Sequence, residues 1–137
     1  MALDVMQVEY FNITVADDIS EASKLISTVV SAGVDFHAFK SVRVDPGKTQ
    51  FTFFAKDSSK ITEGADKTNL KLDGPYPAVL IKGDEKAGAL GDIYKKLSRA
   101  RIQVNEACGI ADINAGYGVI LYLSKEDCVK AITALKK

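Results

Sequence analysis

The chain has 137 residues, with 18 Lys and Arg against 18 Asp and Glu, 47% hydrophobic and 26% charged residues, the balance of an ordinary globular protein. Zero formal charge argues against a nucleic-acid partner, because phosphate neutralisation needs a basic surface. No apolar run approaches the ~20 residues of a membrane span, and the start Met1-Ala2-Leu3-Asp4 has neither the basic flank nor the apolar core of a secretory leader. The expectation is a cytoplasmic protein with no membrane partner. Cys108 and Cys128, twenty residues apart, match no zinc or redox spacing and read as buried free thiols.

In chain order, Val8 to Val15 is β-branched and aromatic with partial alternation, a strand. Ala22, Leu25, Ile26, Val29 and Val30 then recur at three- and four-residue spacing, between Ser20 as N-cap and Gly33 as a left-handed terminator, so a helix follows. Val34 to Val44 and Gln50 to Ala55 are strand-like runs around Asp45-Pro46-Gly47-Lys48, a hairpin. Asp57 to Lys67 reads as a weak helix and Thr68 to Leu72 as a short strand. The cluster Asp73-Gly74-Pro75-Tyr76-Pro77 is the densest turn signal in the chain, so a boundary is placed between residues 1–72 and 73–137.

Beyond it Ala78 to Lys82 is a strand, and Gly88 to Arg101 carries Leu90, Ile93, Tyr94 and Leu97 as the stripe of an amphipathic helix. Ile102 to Cys108 and Tyr117 to Leu123 are strands flanking Gly109 to Gly116, a Gly/Asn-rich hairpin connection. Ser124 opens a last helix carrying Val129, Ile132 and Leu135.

Laid over the first half with an offset of about 68, the second half repeats it: Ile81 falls on Ile13, Ile93 on Leu25, Leu97 on Val29 and Asn105 on His37. Each copy reads strand, helix, strand, strand, helix. The fold class is therefore α+β, as two tandem ferredoxin-like βαββαβ repeats with antiparallel sheets and helices on one face. The second copy ends without its fourth strand, which leaves an edge to be covered, with Leu3 to Val15 and Leu70 to Leu72 as the available donors. The expectation is that Leu70 to Leu72 folds back onto Ala78 to Lys82, while the N-terminal residues Leu3 to Glu9 lie beside the first copy's sheet. Units of this size bury only roughly 60% of their unfolded surface, which favours a homodimer.

Three segments carry a family resemblance: Val79 to Leu90 with Gly83-Asp84-Glu85-Lys86-Ala87-Gly88, then Arg101-Ile102-Gln103-Val104-Asn105, then Tyr117 to Leu123. They resemble the ACT domain, a small-molecule-sensing module of amino-acid metabolism, in its pattern of strand, acidic residue, two residues, Gly, striped helix and strand. Ala87 replaces the Pro that often precedes the Gly. The first half matches only in outline, with Ser20 where Gly88 stands and Asp17-Asp18 where Glu85-Lys86 stand. The resemblance implies a non-catalytic regulatory module binding an amino acid at Asp84, Glu85, Gly88, Ala89, Leu90 and Asn105, with no metal and no cofactor.

The residues themselves fit that reading without requiring it. Gly88 opens a helix after a strand, where free N–H groups and the helix dipole suit a carboxylate; it also serves equally as a simple tight turn. Asp84 and Glu85 would repel an anion and attract an ammonium group, so a zwitterion is served by both features. Asn105 can donate and accept or be an ordinary strand-end residue. His37, the only His, has no partners for zinc and reads as a core or interface imidazole. Lys95, Lys96, Arg99 and Arg101 read as a solvated face complementing a helix C-terminus. No nucleophile beside a base, metal set or phosphate loop is legible, so no catalytic residue is assigned. The alternative is a ligand-free interaction module, a regulatory subunit of a metabolic enzyme.

Overall fold

The computed structural model describes residues 3–68, 70–84, 88–112 and 116–136. Among them the chain forms six strands and four helices, an α+β protein: β1 (Asp4–Ala16), α1 (Ile19–Ser31), β2 (Phe36–Asp45), β3 (Lys48–Ala55), α2 (Ser58–Thr68), β4 (Asp73–Gly83), α3 (Ala89–Arg99), β5 (Glu106–Asp112), β6 (Gly116–Tyr122) and α4 (Lys125–Leu135). None of these helices is long and apolar enough to cross a membrane. The chain divides into two compact units, Glu9–Tyr76 and Met1–Val8 with Pro77–Lys137. The single boundary expected after residue 72 is thus replaced by two crossings, one inside β1 and one inside β4.

Within the Glu9–Tyr76 unit the strand order is β2-β3-β1-β4. β1 pairs antiparallel with β3 from Phe11↔Phe53 to Ala16↔Lys48, and β3 with β2, which doubles back at Gly47 with its φ of +84°. Alternation sends Phe11, Ile13, Phe51, Phe53 and Ala55 to one face, where Leu25 and Val29 of α1 and Ile61 of α2 close the core. On the other face Thr52 donates to the Asn12 side chain at 2.6 Å, and Tyr10 packs on Phe54 with ring centroids 5.2 Å apart. α1 and α2 meet at Gly64, where a Cβ would lie 2.7 Å from that of Ala32.

The Pro77–Lys137 unit takes its fourth strand from the N-terminus: Val5, 5% exposed, is part of the core with Val79, Ile81, Ile93, Leu97, Leu121 and Leu135, and Leu3 packs against it. The order there is β1-β4-β6-β5, with Ala78↔Tyr122 to Gly83↔Tyr117 and Glu106↔Tyr122 to Asp112↔Gly116 both antiparallel. The N-terminal residues therefore complete the second sheet instead of lying beside the first, and Leu70 and Leu72 are not a strand but half-buried packing on the first core. The reason is written in β1: Gln7 and Glu9 share a face with Val5, Phe11 and Ile13 but are exposed, which splits one apolar face into two cores.

Several expected boundaries move. The Asp73–Pro77 cluster is strand, because Gly74 is needed for close approach; a Cβ there would sit 2.8 Å from the Tyr10 carbonyl oxygen. Ile102 to Asn105 is a loop whose Ile102 still reaches the core, and β5 starts at Glu106 and runs through Gly109. The middle of the expected connection, residues 113–115, lies outside the described residues. The α1 cap is Asp18, not Ser20, whose backbone N–H donates to the Asp18 carboxylate at 2.8 Å. On α3 the buried stripe is Ala89, Ile93 and Leu97, leaving Leu90 and Tyr94 exposed. Cys128 is buried as expected, but Cys108 is exposed on β5.

Candidate functional site

The end of β4 is shaped by two glycines that let strands close on each other. A Cβ on Gly83 would lie 2.6 Å from the Tyr117 hydroxyl oxygen, and one on Gly116 would lie 2.2 Å from the Gly83 carbonyl oxygen. The Tyr117 phenol therefore lies over the end of β4. Its oxygen is buried and has no hydrogen-bond partner among the described residues. Burial first, then the charges of Asp84 and Asp92, push its pKa above the ordinary phenol value, so it stays a neutral donor.

Asp84 follows, exposed; Glu85, part of the expected site, lies outside the described residues. Gly88 then stands at the N-cap of α3 with a φ of +86° and no side chain capping the helix. That conformation is one glycine adopts at little cost. The other three helices have side chains there: Asp18 accepts from Ser20 N–H, Asp57 from Ser59 N–H at 3.0 Å, and Ser124 from Asp127 N–H at 3.2 Å. Among the described residues no side-chain cap hydrogen bond closes the first turn of α3, whose N–H groups from Ala89 to Gly91 form the positive end of the helix. Ala89 is buried, while Leu90 is exposed. Donors from the helix, carboxylates from Asp84 and Asp92 and a neutral phenol suit a small zwitterion.

Asn105 does not join this group within one chain. Its N–H donates to the Tyr122 carbonyl at 2.9 Å, at the Ala78 end of β4, five residues along the ladder from Gly83, or about 16 Å at ~3.3 Å per residue. Beside α3 lies a groove of about 540 Å³ between its exposed Leu90 and Tyr94 and the exposed Ile110 side of β5. Lys96 and Arg99 lie in the last turn of α3, where cations complement the dipole.

The first unit has a different version of this corner. Asp18 occupies the α1 N-terminus, and hydrogen bonds from the Ser20 N–H and hydroxyl hold its carboxyl below the usual range. An anion is excluded from that helix end. Next to it α1, β2 and β3 enclose a groove of about 840 Å³. At its polar end Asp17 accepts from Thr49 at 3.1 Å and pairs with Arg43 Nε at 2.7 Å. His37 is half-buried on β2. Among the described residues no group of three His, Cys, Asp or Glu side chains is placed to hold a metal ion.

Tyr117 and Arg43 are the residues that sequence reasoning missed. The signal for Tyr117 was present, an aromatic between Gly116 and Gly118 opposite Gly83. Arg43 had none, since it stands in a strand 26 residues from Asp17 and only the β2-β3-β1 order brings them together.

No family model matches the chain, and no curated protein matches it in sequence. Solved structures do match. Protein BT0572 of Bacteroides thetaiotaomicron superposes with a TM-score of 0.80 at 14% identity, over 96% of this chain and 90% of that one. The ligand-free regulatory subunit of aspartate kinase from Thermus thermophilus gives 0.60 at 14% identity over 97% and 95%. Its counterpart from Thermus flavus gives 0.60 at 18% over 98% and 93%. At such identities it is the fold that is shared: this chain has, over nearly its whole length, the fold of aspartate kinase regulatory subunits.

Proposed function

We propose that the chain is a non-catalytic, cytoplasmic regulatory module of two tandem ACT-like repeats that binds an amino acid or similar small metabolite at the β4–α3 loop. The observation that carries this reading is the glycine-led N-terminus of α3 beside Asp84, which has no side-chain cap among the described residues, whereas Asp18, Asp57 and Ser124 cap the other helices. In this reading the ligand carboxylate takes the N–H groups following Gly88, the ammonium takes Asp84, and the Tyr117 hydroxyl finds a partner. Asn105, about 16 Å away along the ladder, serves the same ligand only from a second copy, which makes the homodimer part of the site. The fold shared with aspartate kinase regulatory subunits supports a regulatory role.

A second reading, a ligand-free regulatory subunit, is favoured by Ile110, 80% exposed on an edge strand beside exposed Leu90 and Tyr94. Thermal shift and calorimetry with the twenty amino acids separate the two, since a ligand at 100 times its dissociation constant stabilises by ~2.7 kcal/mol. Gly88→Val should remove that shift: its Cβ meets no other group, but a branched residue at positive φ is strained and stands over the donors. The absence of any shift across the screen, or an undiminished shift in the variant, overturns the reading.

A further inference from the structure

Helices α1 and α3 end on one backbone plan, so each is a control for the other. The offset of about 68 that aligns the two halves sets Ala100 on Ala32 and Arg101 on Gly33. Their closing bonds agree: Ala32 N–H donates to the Thr28 carbonyl and Ala100 N–H to that of Lys96, both at 3.1 Å, while Gly33 N–H donates to Val30 and Arg101 N–H to Ser98, both at 3.0 Å. The side chains do not agree. Ser27, Thr28, Ser31 and Gly33 of the first half stand where the second has Lys95, Lys96, Arg99 and Arg101. The last turn of α1 has no basic residue, so closing such a helix does not call for these four cations.

The backbone makes the same point at Arg101. Its φ is +58° against +78° at Gly33, and it is the one non-glycine residue at positive φ among the described residues. Glycine enters that region at little cost, and an arginine does not. Lys95, Lys96 and Arg99, at three- and four-residue spacing, share one flank of α3 and line a cleft of about 260 Å³ with Asp92 and Leu3. The other flank carries Leu90 and Tyr94. Lys95, Arg99 and Arg101 are exposed and form no ion pair among the described residues.

We infer that this flank of α3 is a docking surface for an extended acidic segment of a partner protein, an interaction that does not rest on ligand binding at the β4–α3 loop. Lys95 and Arg99 lie about 6 Å apart along the helix axis, at ~1.5 Å per residue. Alternate side chains of an extended chain lie about 6.6 Å apart, so carboxylates at every second position meet both cations, and the next one reaches towards Arg101. A lone phosphate spans too little to engage all three. Asp92, one turn before Lys95, closes the flank to anions at that end and suits a Lys or Arg bordering the acidic run. Nucleic acid is the poorer fit, because zero formal charge gives the chain no broad positive field. Attraction between exposed charges makes the interaction one that salt weakens.

Fluorescence anisotropy on the full chain tests the surface, with labelled hexaglutamate as the probe and hexalysine and oligothymidylate as alternatives. Hexaglutamate should bind saturably at low salt and lose affinity as salt rises, and hexalysine should not bind. Lys95→Ser/Arg99→Ser/Arg101→Gly, which writes the residues of the first half into α3, should weaken binding roughly tenfold or more with far-UV circular dichroism unchanged. Arg101→Gly alone should weaken it without lowering the melting temperature, since glycine takes the positive φ freely; a fall in melting temperature would mean that the arginine serves the fold and would overturn the inference. Lys60→Ser, at an exposed position of α2, and Gly88→Val should leave binding intact, which separates this surface from the loop. Hexaglutamate that fails to bind, or binds the triple variant undiminished, overturns the surface. So does tighter binding of oligothymidylate, which assigns the cations to nucleic acid, or salt-sensitive self-association abolished in the triple variant, which makes a second copy the occupant.

Discussion

If the N-terminal stretch is a structural strand of the Pro77–Lys137 unit, a single truncation near the chain start must be felt as a core mutation. Val5 is 5% exposed and packed with Val79, Ile81 and Leu97. Val5→Ala removes two methyl groups, worth ~1.6 kcal/mol of transfer free energy. A residual cavity of roughly 50 Å³ adds ~1 kcal/mol at ~24 cal/mol per Å³. Partial collapse of the neighbours reduces that second contribution, so the loss should be about 1.5–3 kcal/mol. For a chain of this size that corresponds to a fall in melting temperature of roughly 6–12 °C. Gln7→Ala, exposed on the same strand, is the control and should stay within ~0.5 kcal/mol. Urea unfolding followed by far-UV circular dichroism measures both. Equal midpoints for Val5→Ala and Gln7→Ala would refute the strand assignment, as would unchanged stability on deleting residues 1–7.

Leu97→Ala, at a position 2% exposed in the same core, should cost about 3–5 kcal/mol in urea, and a loss under 1 kcal/mol would mean the α3 stripe is misassigned. Gly64→Leu should destabilise by more than 2 kcal/mol, because even a Cβ there lies 2.7 Å from that of Ala32 and α1 and α2 must move apart; Lys60→Leu, elsewhere on α2, should be nearly neutral. In native protein a thiol reagent should modify Cys108 quickly and Cys128 only on unfolding, since Cys128 is buried and its pKa is raised chiefly by that burial. Two equally fast thiols would contradict the packing of α4.

Helix positions and the second half's glycine-led loop were legible because their signals are local: apolar stripes at Leu25/Val29 and Ile93/Leu97, and a glycine where a helix begins. The strand that completes the second sheet was not, because period-2 alternation says that a run is a strand but not which partner it pairs with. Val5 and Phe11 share one alternation, and the exposed Gln7 and Glu9 between them mark the crossover only once both cores are known. Asp73-Gly74-Pro75 misled for a related reason. Glycine serves both tight turns and close strand approach, and here the neighbour that decides between them, Tyr10, is over sixty residues away in the chain. Asp84 follows β4 and Gly88 and Ala89 open α3, so their neighbourhood could be read from the chain itself. Asn105 was grouped with them through the family resemblance, which does not register that β5 begins at the far end of its ladder.

The crossing of β1 and β4 between units has a kinetic consequence. During synthesis the start of β1 leaves the ribosome well before Pro77–Lys137, so this half of the strand waits for the elements it packs with. Until then Val5 and Val8, both buried in the finished molecule, sit on an unpaired segment able to pair with the nascent β4 of a neighbouring chain. At polysome concentrations, the same segment that completes a monomer's fold is the one best placed to exchange between chains.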